Sequence, residues 1–345
     1  MLTEDEKLLL VASDVGPVKE FLSNALQTKS KGNAYLYNHL VQQLRTRDDP
    51  ETLWRLYIAL STCANQITSR PEIYRELIQS LYTFDWTSEK KIVVSFMSLL
   101  GQLVSSNPIF LIPTLQMLIK SLISPALPNT PAAAQHIDAS SEELKRLAEV
   151  QMRQEHIHRT LDMVIRLAPT ALLEVYPVLE DHFPHKRFPI LAHTEYVSQL
   201  LTLCVSYPTL QGKILDLIIS RCLELDVDIV IEDSGEAKIS ADEEDNEGDD
   251  MFQLDDNISS GNAIRGISVG GIRQRVQMKI RDDVTETADK LDAMLMLVLK
   301  YIQSTYHSGP DTPSNANAGD HLDKKRRLFF QLLHAFETRV MTTYK

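Results

Sequence analysis

Apolar residues recur at three- and four-residue spacing through most of the chain, and the pattern is cleanest over residues 196–228. Tyr196, Val197, Leu200, Leu201, Leu203 and Cys204 share one helical face. Leu210, Ile214, Leu217, Ile218 and Leu225 share a second. Ser206-Tyr207-Pro208-Thr209 separates the two. Proline has no N–H, so it fits a first helical position, where no intrahelical partner is needed. The same break recurs at Ser69-Arg70-Pro71, Ser106-Asn107-Pro108 and Leu167-Ala168-Pro169-Thr170. From Pro71 through Pro108 and Pro169 to Pro208 the spacings are 37, 61 and 39 residues. The long gap holds a Pro/Ala/Ser-rich stretch over residues 125–141, and removing roughly two dozen residues there evens the period. A helix–break–helix unit recurring about every 40 residues predicts an all-α, HEAT-like helical repeat solenoid. Such a unit cannot bury its apolar face alone and stacks on its neighbours.

The remaining elements follow in order. Residues 4–26 read as a helix broken at Gly16-Pro17, and residues 33–45 as a second. Asp48-Asp49-Pro50 starts the next, with acids at the positive end of the helix dipole. Leu53, Leu56, Tyr57 and Leu60 line its face, and Ile73, Leu77, Ile78 and Leu81 line its partner. Thr87 or Ser88 is the expected cap of a helix carrying Ile92, Phe96, Leu99, Leu100 and Leu103. Asn107 caps the following one, which Pro113 should kink or delay. A polar helix over 142–154 leads into a further pair over 158–183. Helix resumes by Asp282 with Leu291, Met294, Leu295, Val298 and Ile302 on its face, and the last helix covers 328–342. The expected organisation is helical repeats over 1–231 with a linker at about 124–141, an acidic disordered insertion over 232–281, and a continuing repeat over 282–345. That last repeat carries Phe329, Phe330, Leu333 and Phe336, too apolar for a terminal cap. It predicts self-association, admitting a homodimer, or a longer natural protein.

Charge changes the picture in one place. The net charge of the 345 residues is −12. Residues 232–256 hold 12 acids and only Lys238 against them, so they carry −11 and leave −1 for everything else. A nearly neutral folded part is unsuited to gripping phosphates, so direct sequence-specific DNA binding is not expected. Cys63, Cys204 and Cys222 sit inside apolar runs and read as buried free thiols. The chain opens with acids where the basic start of a secretory signal would stand. Its most apolar stretch, residues 107–123, is interrupted by Pro113, Gln116 and Lys120, so no membrane association is expected.

The search for chemistry is mostly negative. There is no nucleophile elbow, phosphate-binding loop or zinc-protease motif. His156 and His158 fall on different helix faces, and His182 and His185 straddle Pro184. The carboxylates of residues 242–250 lack the Gly and Glu placement of a calcium loop. No enzyme, metal or cofactor is expected. Two features remain. Ser240-Ala241-Asp242-Glu243, inside the acidic tract, matches an acid-directed kinase site, and Ser240 and Thr170 are the candidate phosphosites. The hydroxyl pairs are Ser61-Thr62, Thr68-Ser69 and Ser105-Ser106, and Ser69 and Ser106 each stand two residues before a repeat proline. Singly each is a turn or cap residue; in stacked repeats equivalent loops lie side by side, and the pairs would form one strip.

Three stretches carry a resemblance: KIVVSFMSLLGQLVSSNPIFLIP over 91–113, HRTLDMVIRLAPTALLEVYPVLEDHFP over 158–184, and YPTLQGKILDLIISRCLELDVD within 196–228. DKLDAMLMLVLKY over 289–301 follows the acidic tract. Over most of residues 50–305 the chain resembles the RNA polymerase I-specific transcription initiation factor family. The resemblance implies a HEAT-repeat protein without enzymatic activity, located in the nucleus and nucleolus. It implies binding to the stalk of RNA polymerase I and bridging to promoter-bound core factor, under the control of kinases and phosphatases. It also implies a polymerase-docking, phosphorylation-controlled patch, matched in spacing by Ser61, Thr62, Thr68, Ser69, Ser105 and Ser106. Members of that family continue well past residue 345, and the 125–141 stretch is less acidic here than in some of them. From the repeat pattern alone, the alternative is a generic HEAT scaffold or adaptor of the nuclear-transport or phosphatase type.

Overall fold

The computed structural model describes residues 15–47, 49–124, 139–239, 284–307 and 318–343, and among them every regular element is helical. The chain divides into two units, Met1–Pro184 with Ser198–Ile214, and His185–Val197 with Leu215–Lys345.

The first unit opens with α1 (Gly16–Ser30), α2 (Tyr35–Thr46), α3 (Pro50–Thr62), α4 (Ala64–Ser69) and α5 (Arg75–Leu81). Helix α1 begins at Gly16 with Pro17 in its first turn; residues 4–14, on the other side of the expected break, lie outside the described residues. The Asp49 carboxylate accepts from the backbone N–H of Glu51 at 3.1 Å and of Thr52 at 3.2 Å, the N-cap expected before Pro50. The hydroxyl of Thr52 and the N–H of Glu51 hold the Asp49 carboxyl below its ordinary range. A break at Cys63 divides what reads as one helix into α3 and α4; the Cys63 N–H closes onto Ala59 and Leu60 before the backbone turns.

Helix α6 (Lys90–Ser106) follows, then a 3-10 turn (Pro108–Phe110) and α7 (Leu111–Lys120). The predicted cap at Thr87 or Ser88 is not used. Asp85 Oδ1 accepts from the Thr87 N–H at 3.0 Å and its hydroxyl at 2.8 Å, and α6 starts after Glu89 without a side-chain cap. Asn107 does cap, accepting from the Ile109 N–H at 3.0 Å. Pro113 delays the α-helix to Leu111 and occupies its third position, where a missing N–H leaves no bond unmade. Leu53, Leu56, Tyr57 and Leu60 of α3 and Ile92, Phe96, Leu99, Leu100 and Leu103 of α6 are all buried. Each such side chain contributes about 1.5–3 kcal/mol of transfer free energy. Phe84 stacks on Phe96 with centroids 3.9 Å apart, and Trp86 meets Phe84 edge-on at 4.9 Å.

Helices α8 (Ala139–Leu167), α9 (Ala171–Asp181), α10 (Ile190–Ser206) and α11 (Gln211–Ile239) continue the array. Gly101 lets α8 approach α6: a Cβ there would stand 3.3 Å from Leu167 Cδ1. Arg153, buried on α8, donates to Ser124 Oγ at 2.9 Å and to the Ile123 carbonyl at 3.0 Å, which fixes the end of the preceding pair. Every residue assigned to the apolar faces of α10 and α11 is buried. Pro208 lies in a turn closed by the Leu210 N–H on Tyr207, and α11 starts only at Gln211. Helix α11 then runs to Ile239, past the expected boundary of the acidic insertion at 232. Residues 240–283 lie outside the described residues.

The second unit contains α12 (Val284–His307), α13 (Ala318–Ala335), a π-turn (Phe336–Val340) and α14 (Met341–Thr343). Met294 and Val298 are buried as the periodicity requires; Leu295, expected beside them, is exposed. Phe329, Phe330 and Phe336 are exposed as well. Lys290 is 1% exposed and donates to the Lys186 carbonyl at 2.9 Å.

Candidate protein-interaction surface

The six hydroxyls singled out in the sequence all stand in the last turn of a helix. Ser61 donates to the Ile58 carbonyl at 2.7 Å, Thr62 to Ala59 at 2.8 Å, Ser69 to Gln66 at 2.8 Å and Ser105 to Gln102 at 3.2 Å. Thr68 makes a longer bond to Asn65, 3.4 Å. Each of these spends its proton on a carbonyl three residues back, close to the C-terminal end of its helix. As hydrogen bonds they are therefore the turn and end residues of the plainer reading.

Their positions add something more. Ser106 donates across to Asn65 Oδ1 at 3.0 Å, and Asn107 Nδ2 donates to the Thr68 carbonyl at 3.1 Å. These two bonds join the end of α6 to α4, so Thr68-Ser69 and Ser105-Ser106 belong to one local surface. Ser61 and Thr62 enter it from the end of α3, immediately before α4. Thr62, Ser69, Ser105 and Ser106 are exposed and Ser61 is half-buried. Thr68 is a correction to the strip: it is buried, and it takes part through its carbonyl rather than its side chain. Asn65 escaped the sequence reading, since an amide in a short helix has no periodic signal; Asn107 was visible as a cap but not as a cross-link.

The two candidate phosphosites have different standing. Thr170 is exposed at the N-cap of α9 and makes no side-chain cap bond. Ser240 lies outside the described residues.

Toward the far end of the first unit the joints continue. The Tyr207 hydroxyl donates to Asp162 Oδ1 at 3.0 Å, and His158 Nε2 lies 2.7 Å from Gln199 Oε1. Burial holds the His158 imidazole below its ordinary pKa, against the opposing pull of Gln199. Cys63, Cys204 and Cys222 are free and buried, and burial pushes the Cys204 and Cys222 thiols up to about 12, which suppresses thiolate chemistry. Among the described residues no cluster of His, Cys, Asp and Glu is arranged to hold a metal, and no helix is long and apolar enough to cross a membrane.

Comparison with known proteins gives the same fold and one family. A family model described as RNA polymerase I specific transcription initiation factor RRN3 matches residues 14–345. The RNA polymerase I-specific transcription initiation factor rrn3 of Schizosaccharomyces pombe is 27% identical over 220 residues, 62% of this chain and 33% of that protein. The RNA polymerase I-specific transcription initiation factor RRN3 of Mus musculus is 24% identical over 277 residues, 79% of this chain and 39% of its own length. The chain thus spans well under half the length of either relative. A crystal structure of RNA polymerase I transcription initiation factor Rrn3 superposes with a TM-score of 0.61 at 18% identity, covering 96% of this chain and 54% of that one. That likeness establishes the all-α, HEAT-like fold.

Proposed function

The chain belongs to the RNA polymerase I specific transcription initiation factor RRN3 family, and from that premise we propose that it works in initiation of ribosomal RNA synthesis by docking on RNA polymerase I. In this reading it binds the polymerase stalk, bridges to promoter-bound core factor, acts in the nucleus and nucleolus, and is switched by kinases and phosphatases. The observation that carries it is the family match across residues 14–345. Membership sets aside the transport or phosphatase adaptor that the repeat pattern alone left open.

The docking surface proposed is the joint of α4 with the end of α6. Its exposed hydroxyls are neutral and hydrogen-bonded, so covering them costs little desolvation. Phosphorylation would remove the donated proton and add about −1.5 to −2 charges per site. At Ser105 and Ser106 that charge would face the carbonyl end of α6, where the helix dipole is already negative. At a dried interface an unpaired charge of this kind weakens binding on the order of a hundredfold.

The test uses purified RNA polymerase I. Ser105→Asp with Ser106→Asp should abolish binding while helicity and melting stay near wild type, and alanine at both positions should bind. Aspartate variants that bind as well as wild type would leave the hydroxyls as helix ends and nothing more.

A further inference from the structure

Helix α13, in the second unit, has two apolar faces. Leu328 and Ala335, at 0% and 1% exposure, turn one of them inward. On the other, Leu322, Arg326, Phe329, Leu333 and Phe336 follow at four- and three-residue spacing, the row that one side of a helix presents. The four apolar members of that row are 51%, 54%, 39% and 48% exposed. Phe330 beside them is 64% exposed and meets Phe329 edge-on at 5.6 Å. Single exposed apolar residues are ordinary, whereas a continuous exposed row of this kind marks a binding surface.

The row is also basic. Lys324-Lys325-Arg326-Arg327 is the one place in the 345 residues where four cations stand in succession. Arg326 is exposed within the row, and Lys324 and Arg327 are exposed around it. Over residues 318–343 the acids are Asp320, Asp323 and Glu337, against five cations. The fifth, Arg339, is held at 3.0 and 2.8 Å by Asp216 of α11, which ties the end of this helical stretch to α11. A surface that mixes aromatic rings with cations suits a segment that mixes apolar side chains with acids. The chain has one. Residues 242–256 hold nine acids and no cation, and within them Asp249-Asp250-Met251-Phe252-Gln253-Leu254-Asp255-Asp256 sets three apolar residues between pairs of aspartates. This segment lies outside the described residues.

We propose that the outer face of α13 is the docking site of the chain's own acidic segment, with Met251, Phe252 and Leu254 on the Phe329–Leu333–Phe336 row and the flanking aspartates against Lys324–Arg327. The proposal stands apart from the function proposed above. The tether is long enough. From Asp216 to Ile239 α11 extends about 35 Å, and Phe252, 13 residues beyond Ile239, reaches back at most about 45 Å. A tethered segment competes at an effective concentration in the millimolar range, far above that of a free acidic partner. A second copy would bring the same face against itself across a two-fold axis, and its four cations would oppose their counterparts. A nucleic acid would pair the cations but leave Leu322, Leu333 and Phe336 without an apolar partner. Cations also occur at Arg265, Arg273, Arg275, Lys279 and Arg281, but there they are dispersed along the chain and no aromatic residue stands among them.

The experiment deletes residues 242–256 from the otherwise full chain and titrates in a fluorescent peptide of residues 244–258. The peptide should bind the shortened chain at least about tenfold more tightly than the intact chain, whose own segment holds the face. Raising salt from about 0.05 M to about 0.5 M should weaken that binding roughly tenfold. Arg326→Glu with Arg327→Glu, and separately Phe329→Ser with Leu333→Ser, should each weaken it by about tenfold or more. A peptide carrying Asp249→Lys, Asp250→Lys, Asp255→Lys and Asp256→Lys should recover binding to the glutamate variant and not to the serine variant. If circular dichroism shows that the deletion unfolds the chain, Met251→Ser with Phe252→Ser and Leu254→Ser in the uncut chain opens the face instead and should admit the peptide in the same way. A peptide that binds intact and shortened chains alike, binds neither, or ignores the α13 variants overturns the proposal. A labelled DNA duplex that binds the intact chain and is lost with Arg326→Glu and Arg327→Glu makes the occupant a nucleic acid and overturns it. An intact chain that sediments as a dimer, made monomeric by Phe329→Ser with Leu333→Ser, makes the occupant a second copy and overturns it too.

Discussion

Lys290 is the most demanding side chain in the second unit. It is 1% exposed, its ammonium donates to the Lys186 carbonyl at 2.9 Å, and Glu286 stands 3.6 Å away on the preceding turn of α12. Glu286 Oε2 is itself buried without a hydrogen bond. Taking an ammonium out of water costs several kcal/mol, which only the carboxylate and the carbonyl offset. Lys290→Met keeps the length of the side chain but leaves Glu286 and the Lys186 carbonyl uncompensated, so it should destabilise α12 by about 3–5 kcal/mol. Lys290→Met with Glu286→Leu removes both charges and should recover most of that loss, a coupling of at least ~2 kcal/mol. The neighbouring Lys186–Asp228 pair, with Lys186 half exposed, contributes far less. Amide hydrogen exchange over residues 284–307 reads the effect locally, and the single variant should exchange roughly a hundred- to several-thousandfold faster. If Lys290→Met exchanges like wild type, or the double variant is as labile as the single, the buried pair does not hold this helix.

Two further perturbations test the first unit. Asp49→Ala removes the acceptor of two backbone N–H groups at the start of α3 and should lower the melting temperature, with Asp49→Asn close to wild type; equal losses in both variants would deny the cap. Because burial depresses the His158 pKa, the native state favours neutral imidazole, and stability present above the unfolded value of 6.5 should fall as pH drops through it toward the folded pKa; His158→Gln should flatten that fall between about pH 7.5 and 5.5, and an unchanged slope would mean that another group titrates.

Helix faces were legible because burial and the 3.6-residue period are the same fact seen twice: every apolar position assigned to α3, α6, α10 and α11 is in the core. Ends were less legible. Cys63 interrupts a helix with neither glycine nor proline to announce it, since the cause is a backbone closure onto Ala59 and Leu60. Asp85, Thr87 and Ser88 all have capping chemistry, and local sequence does not show that Asp85 takes the Thr87 hydroxyl for itself. The acidic run of residues 232–239 reads as unable to order alone, yet α11 continues through it. Extending an existing helix adds one bond per residue without a new nucleus, and glutamate is a good helix former. At the candidate surface the hydroxyls were visible as a spacing, whereas the burial of Thr68 and the bridging role of Asn65 arise from packing across about 40 residues of chain, beyond any local window.

Helix polarity gives the hydroxyls of this surface their meaning. Ser61, Thr62, Ser69 and Ser105 each donate to a carbonyl near the C-terminal end of a helix, a place that welcomes a proton donor and repels an anion. A phosphate there loses the donor and gains the repulsion in one step, so the switch proposed for this edge needs no conformational change to act. Thr170 stands at the opposite end of a helix, at the positive end of the α9 dipole, where a phosphate would be favoured rather than repelled. Phosphate at Ser105 or Ser106 and phosphate at Thr170 therefore carry opposite local signs, although Gly101 and Leu167 pack the ends of α6 and α8 together. A kinase acting on the first pair works against the neutrality of the docking face. One acting on Thr170 places its charge where the start of α9 neutralises part of it.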